Sequence, residues 1–118
     1  MSDDGDGTRS WRLYVEDMIE FGGRVLTYTN GMDQATFIAE QLAYDATLRN
    51  IELIGVAAMH VPGTVREAHP EIEWRSIVGA RNRLAHAYLG IDDDVVWDII
   101  QTDIPRMLLK LQRLLDLE

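Results

Sequence analysis

Residues 74–90, WRSIVGARNRLAHAYLG, decide the fold, because their apolar positions recur every three or four residues. These positions are Trp74, Ile77, Val78, Leu84 and Tyr88. That period is typical of an amphipathic helix and differs from the strict alternation of a half-buried strand. Pro70 at a first helical position, followed by Glu71 and Glu73, predicts the start of the helix, and Gly90 predicts its end.

The sequence before this stretch predicts two long helices. Ser10 has the side chain of an N-cap residue, and the first helix is expected to run from it to about Thr29, where Asn30-Gly31 stops it. Asp33 can cap the second helix, which we extend to about His60 because apolar residues keep the helical period.

Two proline-containing segments shape the remainder of the chain. Val61-Pro62-Gly63 breaks it after the second helix, and residues 64–69 are expected to form one short turn. Asp92 or Asp93 caps the last helix, which Pro105 should kink or interrupt. Because nothing alternates as a strand does, the predicted fold is all-α, an antiparallel bundle of four to five helices with short connections.

Length and composition bound the possible classes. The chain has 118 residues and 47% hydrophobic residues, enough for one core and one domain, which we place at residues 10–118. Residues 1–9 are rich in Asp and Gly and are expected to be a disordered leader. The absence of cysteine excludes disulfides, thiolate metal sites and a thiol nucleophile. No apolar run is long enough to span a bilayer, so we expect a cytoplasmic protein without a membrane partner.

The net charge of −9 is distributed unevenly. Residues 61–91 carry four arginines against three glutamates and are the one segment that is not acidic. A local basic site of this kind suits contact with a few phosphates, whereas the acidic body opposes nonspecific tracking along a duplex. A solvated acidic surface accounts for the total charge.

Polar and ionisable groups crowd the end of the helix at residues 81–88. Arg81 can grip a phosphate bidentately and stabilise charge that builds on it. Histidine is the residue type that titrates near neutral pH, so His86 can move a proton to or from a ribose hydroxyl or a leaving oxygen. Asn82 lies four residues before His86 on one helical stripe and can orient it, and Arg81 and His86 border a groove from two sides. A solvated C-terminal turn that complements the helix dipole also fits this spacing.

A metal site is not indicated by the sequence. The motif holds no carboxylate pair, and the three histidines, His60, His69 and His86, are too scattered for a helical ligand set. Asp92-Asp93-Asp94 lacks the glycine and distal glutamate of a calcium loop and is explained by helix capping. We therefore expect no metal and no cofactor, and RNA cleavage assisted by the 2′-hydroxyl is the chemistry that fits.

The framework around this motif resembles the HepT toxin family of the HEPN superfamily. The family's hallmark is Arg, four residues, His, one residue and Tyr, which Arg81, His86 and Tyr88 match in register. Further likeness lies at Tyr28-Thr29, Phe37, Ile54-Gly55, Ile91-Asp92, Val96-Trp97 and Ile104-Pro105. The resemblance thus covers roughly residues 11–115.

The resemblance implies a fold, an activity and partners. Members are HEPN-type helical bundles that form homodimers, and they are ribonuclease toxins encoded beside a minimal nucleotidyltransferase antitoxin. That antitoxin can silence the toxin by adenylylating the motif tyrosine, which is Tyr88 here. The implied catalytic residues are Arg81 and His86, and we expect Asn82, Arg83 and Arg75 to support RNA binding.

One position departs from the family pattern and keeps a second function open. Members often carry Glu directly after the Ile-Gly of the second helix, where this chain has Val56. If that acid orients a catalytic group, this chain would be less active or would only bind. The alternative is a non-catalytic subunit that binds nucleotide or presents substrate to a nucleotidyltransferase. A plain helical dimer without a nucleotide role is the third possibility.

Overall fold

The computed structural model describes residues 10–85 and 92–117, with the side chains of Arg81, Leu84 and Ala85 outside the description. The leader predicted at residues 1–9 also lies outside the described residues. Seven α-helices and one π-helical segment make up the described fold. They are α1 (Trp11–Thr29), α2 (Gln34–Ala39), α3 (Gln41–Met59), α4 (Gly63–Ala68), α5 (Trp74–Ala85), α6 (Asp93–Asp98), the π-helical segment (Ile99–Asp103) and α7 (Ile104–Leu117). These ranges contain no strand, so the all-α prediction is confirmed.

The predicted bounds of α1 are confirmed, and local chemistry explains both ends. The Ser10 hydroxyl accepts a hydrogen bond from the backbone N–H of Arg12 at 3.3 Å, which satisfies one of the free amides of the first turn. After Thr29 the chain turns at Gly31, whose φ of 77° lies in the left-handed region that glycine adopts at little cost.

The single helix predicted from Asp33 to His60 is wrong, because the chain bends at Glu40 and forms α2 and α3. Asp33 does cap α2, and its bond from the Thr36 amide, 2.8 Å long, lowers the pKa of the Asp33 carboxyl. The bend brings the Phe37 and Tyr44 ring centroids within 5.3 Å. In a continuous helix, residues seven apart in sequence lie about 10.5 Å apart along the axis, so the bend is what brings these two rings together. No Pro or Gly stands near Glu40, and the bend leaves Phe37 fully buried, which explains it better than a helix-breaking residue does.

The predicted start of α5 at Pro70 is also wrong, since the helix begins at Trp74. Residues 70–73 form a turn in which the buried Ile72 donates its N–H to the carbonyl of His69 at 3.2 Å. The indole N–H of Trp74 donates to the same carbonyl at 3.1 Å. Burial of Ile72 and Trp74 therefore overrides the helix-starting preference of Pro70.

The last predicted helix is interrupted where Pro105 led us to expect it. Asp92 caps α6 by accepting from the amides of Asp94 and Val95 at 3.1 and 3.2 Å. The π-helical segment then occupies the turn just before Pro105, which has no N–H to offer the preceding turn. α7 continues from Ile104 to Leu117.

Two groups of buried side chains hold the bundle together. One joins α1, α3 and α7, the turn before α5 and Trp74, and includes Val15, Met18, Ile54 and Leu111. The other joins the end of α1, α2, the middle of α3 and α5 to the α6–π-helical region, and includes Val25, Phe37, Ile51, Ala80 and Ile100. α3 packs against α1 on one side and α5 on another, so it forms the support on which α5 rests. None of the described helices is both long and apolar enough to cross a membrane.

The two adjacent glycines of α1 provide a test of this packing. A Cβ at Gly22 would lie 2.9 Å from Leu108 Cδ2 on α7, whereas a Cβ at Gly23 would meet nothing within 4 Å. We expect Gly23→Ala to raise the free energy of unfolding by about 0.5–1 kcal/mol through helix propensity. Gly22→Ala should gain less, or destabilise, because Leu108 must move. Urea unfolding of both variants checks this, and equal gains would contradict the close approach of α1 and α7.

Candidate functional site

α5 presents two unlike faces, set by which residues the core buries. Trp74 and Ala80 point inward, with 7% and 6% of their surface exposed. Arg75, Asn82 and Arg83 are exposed to solvent on other sides of the helix. The outer surface of α5 is therefore cationic and polar, while its inner side is fixed on α3.

An open groove runs between α5, the short helix α4 and the end of α3. Arg75, Gly79 and Asn82 line it from α5, and Arg66 and Glu67 line it from α4. Met59, half exposed at the end of α3, adds an apolar edge. Positions 75, 79 and 82 are four and three residues apart, which places them on one helical stripe. This combination of cations, an amide and apolar surface suits an anionic ligand with some apolar character.

A second, narrower cavity lies on the other side of α5, towards α7. Ile51 and Ile54 of α3 and Met107 of α7 give it an apolar floor. Arg83 and Asp103 also line it. Charged groups pair across its mouth. The N···O distances of these ion pairs are 3.3 Å from Arg106 to Glu73, 3.4 Å from Arg106 to Asp103 and 3.8 Å from Lys110 to Glu73. The two pairs with Glu73 link the residue just before α5 to α7, the Arg106–Asp103 pair is local, and all three contribute little stability individually.

The Asp103 carboxyl, which lines this cavity, has a shifted pKa. Burial, followed by repulsion from Asp98, raises the pKa of the Asp103 carboxyl above its ordinary value. Arg106 and Arg83 act in the opposite direction, and Glu73 adds to the rise. Two carboxylates, Glu73 and Asp103, already balance the two cations that line this cavity, whereas the groove beside α4 has two arginines against Glu67 and is the better site for a phosphate.

The structure groups some of the predicted site residues and separates others. Arg75 and Asn82 line the same groove, whereas Arg83 lines the cavity on the other side of α5. The backbone of Arg81 belongs to α5, but its side chain lies outside the description, as do His86 and Tyr88 entirely. The predicted meeting of Arg81 with His86 therefore stays a prediction.

Sequence reasoning missed Arg66. In the sequence it contributes only to the charge of residues 61–91, because a single short turn predicted at residues 64–69 does not indicate a direction for its side chain. In the structure α4 is a helix over Gly63–Ala68, and it places Arg66 across from Arg75 in the groove. The four arginines of residues 61–91 were the available signal for a cationic site. Only the packing of α4 beside α5 shows that the Arg66 side chain lines the groove.

The two described histidines serve separate local contacts. His60 stacks on Tyr14 with ring centroids 4.8 Å apart, and its Nδ1 lies 2.9 Å from the carbonyl oxygen of Val56. His69 is largely buried, with Nδ1 at 3.4 Å from a Glu71 carboxylate oxygen. Among the residues that the structure describes, no three His, Asp or Glu side chains group as a metal site would require.

A small helical bundle with a cationic, solvent-facing helix is the class of protein that the fold and the site define. The family model described as Ribonuclease HepT-like matches residues 18–114, and the chain belongs to this family. Membership confirms the predicted family and, with it, the predicted enzyme class of ribonuclease.

Curated relatives agree over nearly the whole chain. A protein of Thermococcus cleftensis named "Probable ribonuclease HepT" is 33% identical over 90% of this chain and 96% of its own length. A protein of Methanocaldococcus jannaschii named as a candidate RNase is 32% identical over 84% of this chain and 91% of its own. Another candidate RNase of that organism is 29% identical over 93% of this chain and 96% of its own. No solved structure matches the chain significantly.

Proposed function

We propose that this chain is a metal-independent endoribonuclease that cuts single-stranded RNA and acts as the toxin of a toxin–antitoxin pair. Membership in the HepT-like ribonuclease family is the observation that carries the proposal. The exposed Arg75 and Asn82 add to it, because they place a cation and an amide on the helix that leads directly into His86. We expect the protein to work in the cytoplasm as a homodimer.

The proposed chemistry needs one proton carrier and one source of positive charge. His86 removes the proton from a ribose 2′-hydroxyl, whose oxygen bonds to phosphorus as the bond to the 5′-oxygen breaks. Arg81 stabilises the negative charge that builds on the phosphoryl oxygens. In a dimer the second His86 can protonate the leaving 5′-oxygen. No step in this sequence requires a metal ion.

Helical register supports a shared face for recognition and chemistry. Arg75 precedes His86 by eleven residues, which is about three turns of an α-helix, and Asn82 precedes it by four. If the α-helical register of α5 extends to position 86, the groove beside α4 leads to the proton carrier. Asn82 would then orient the His86 ring or hold a phosphate oxygen.

Regulation by a partner is the second part of the proposal. A nucleotidyltransferase antitoxin would transfer an adenylyl group from ATP to the Tyr88 hydroxyl and release pyrophosphate. The product adds bulk and a negative charge seven residues from Arg81, the guanidinium on which phosphate binding depends. The acidic remainder of the chain, with a total net charge of −9, offers a surface for a basic partner.

Val56 favours a second candidate function. It is half-buried on α3 at the position where the family resemblance led us to expect Glu, and an aliphatic side chain can neither hold a proton nor orient an imidazole. A chain without an acid to orient the catalytic imidazole would bind nucleotide or present substrate to a nucleotidyltransferase without cutting RNA.

Incubation of the purified chain with a labelled single-stranded RNA in excess EDTA separates the two functions. Cleavage that continues at the same rate with and without chelator supports the metal-independent nuclease. Cleavage that stops with EDTA and returns with a divalent cation contradicts metal independence. A chain that binds its transferase but never cuts RNA is the binding subunit.

A further inference from the structure

Two arginines face each other across the groove between α4 and α5 without a partner in the described part of the chain. Arg66 and Arg75 form no hydrogen bond or ion pair there, although most other described cations do. The Nε of Arg66 is buried and lacks an acceptor. No described carboxylate occupies the guanidinium of Arg66 or the exposed guanidinium of Arg75, so their accessible N–H groups can donate to an anionic ligand in the groove.

Gly79 lies between Arg75 and Asn82 on the same stripe of α5. A Cβ there would meet nothing within 4 Å, so packing inside this chain does not require glycine. Glycine in the middle of a helix is less favourable than alanine. The missing side chain instead keeps the floor of the groove low, which lets a ligand approach the helix backbone closely.

Charge and shape together select the occupant. A second copy docked by the same face would bring its own Arg66 and Arg75 against these two, and like charges would oppose that contact. The net charge of −9 opposes any polyanion that covers a wide area of the surface, a folded acidic protein or a long duplex alike, so the occupant must be narrow enough to contact the groove alone. A single strand of RNA matches better, because its phosphates are regularly spaced anions and its bases can rest on Met59 and Val78 at the apolar edge.

From these observations we infer that the groove between α4 and α5 binds the sugar–phosphate backbone of the RNA next to the cleaved bond. Arg66 and Arg75 each contact a phosphate, Gly79 permits close approach, and Asn82 stands on the side towards the motif. Glu67 lines the groove with its carboxylate near Gly63, 3.8 Å from a Cβ placed there, so it repels the strand at that end. This inference rests on the proposed nuclease function and specifies its binding track.

The first experiment measures binding of a labelled single-stranded RNA by His86→Ala protein, so that cleavage does not interfere. We expect Arg66→Gln and Arg75→Gln each to raise the Kd about tenfold at low salt. The double variant should lower the slope of log K against log salt by about 1.4, as the loss of two phosphate contacts on a single strand predicts. Glu67→Gln should tighten binding. Arg113→Gln, an exposed cation of α7 outside the groove, is the matched control and should change little.

The second experiment fills the groove without disturbing the core. Gly79→Leu should keep or raise the melting temperature, because a Cβ at this position meets nothing within 4 Å and leucine forms helix better than glycine. It should raise the KM for RNA cleavage at least tenfold with kcat nearly unchanged. Sedimentation of the same variant tests whether a second copy of this chain occupies the groove instead of RNA. A shift from dimer to monomer would assign the groove to a subunit interface and overturn the RNA assignment.

The outcomes separate this inference from the function it rests on. If the wild-type chain cuts RNA and the Arg66, Arg75 and Gly79 variants cut it with the same KM, the binding track is wrong and the nuclease stands. If the wild-type chain neither binds nor cuts RNA, both proposals fail.

Discussion

His86→Ala is expected to lower kcat/KM for RNA cleavage about 10²–10⁴-fold, the range that a positioned general acid or base supplies. Arg81→Ala should cost about 10²–10³-fold through loss of charge stabilisation on the phosphoryl group. Because the two groups act on one transition state, the double variant should be little worse than His86→Ala alone. Single-turnover cleavage of a labelled RNA by the three variants measures these effects.

The matched control for this series is His60, a histidine that the structure shows to be exposed. His60 lies at the end of α3 and stacks on Tyr14, so His60→Ala removes an imidazole without touching the motif. It should retain cleavage, and all variants should show the helical circular dichroism and cooperative melting of the wild-type chain. Undiminished cleavage by folded His86→Ala protein would dismiss His86 as the proton carrier.

Adenylylation of Tyr88 is expected to lower the cleavage rate about 10²-fold or more, comparable to loss of a group that stabilises the transition state. The physical reason is the added phosphodiester charge and bulk close in sequence to Arg81. Co-expression with the proposed nucleotidyltransferase partner, followed by mass spectrometry, should locate one adenylyl group on Tyr88. The modified protein is then assayed against the same RNA.

Tyr88→Phe provides the control for silencing. It lacks the acceptor hydroxyl but keeps the ring, so it should cut RNA and continue to cut it after exposure to the transferase and ATP. Tyr28, a tyrosine of α1 that is 37% exposed, tests selectivity, and Tyr28→Phe should leave silencing intact. Silencing that persists in Tyr88→Phe would show that the partner acts by masking.

Local sequence was enough to predict those helix ends that are determined by local chemistry. The Ser10 cap, the left-handed turn at Gly31 and the Asp92 cap each depend on residues within a few positions of one another. The bend at Glu40 and the late start of α5 depend on which side chains reach the core. No residue near Glu40 breaks a helix, and Pro70 favours an earlier start, so only the burial of Phe37 and Ile72 reveals the true bounds.

The site shows the same division. Asn82 could be placed from helical spacing, because it lies on one regular helix with the start of the motif, and the structure puts Arg75 in the same groove. Their role in RNA binding stays a prediction. Arg66 could not be placed from helical spacing, since its direction depends on how α4 packs beside α5. Arg83 follows Asn82 directly in sequence yet lines the opposite cavity, because neighbouring residues on a helix point about 100° apart.

The chemistry of the fragment ends tests the central claim most directly. Mass spectrometry of RNA fragments produced by the wild-type chain in EDTA should find 2′,3′-cyclic phosphates or their ring-opened products on the upstream pieces, with 5′-hydroxyls on the downstream pieces. These ends follow from attack by the neighbouring 2′-oxygen. Upstream 3′-hydroxyls with downstream 5′-phosphates would show that water attacked instead, and would contradict the mechanism assigned to His86 and Arg81.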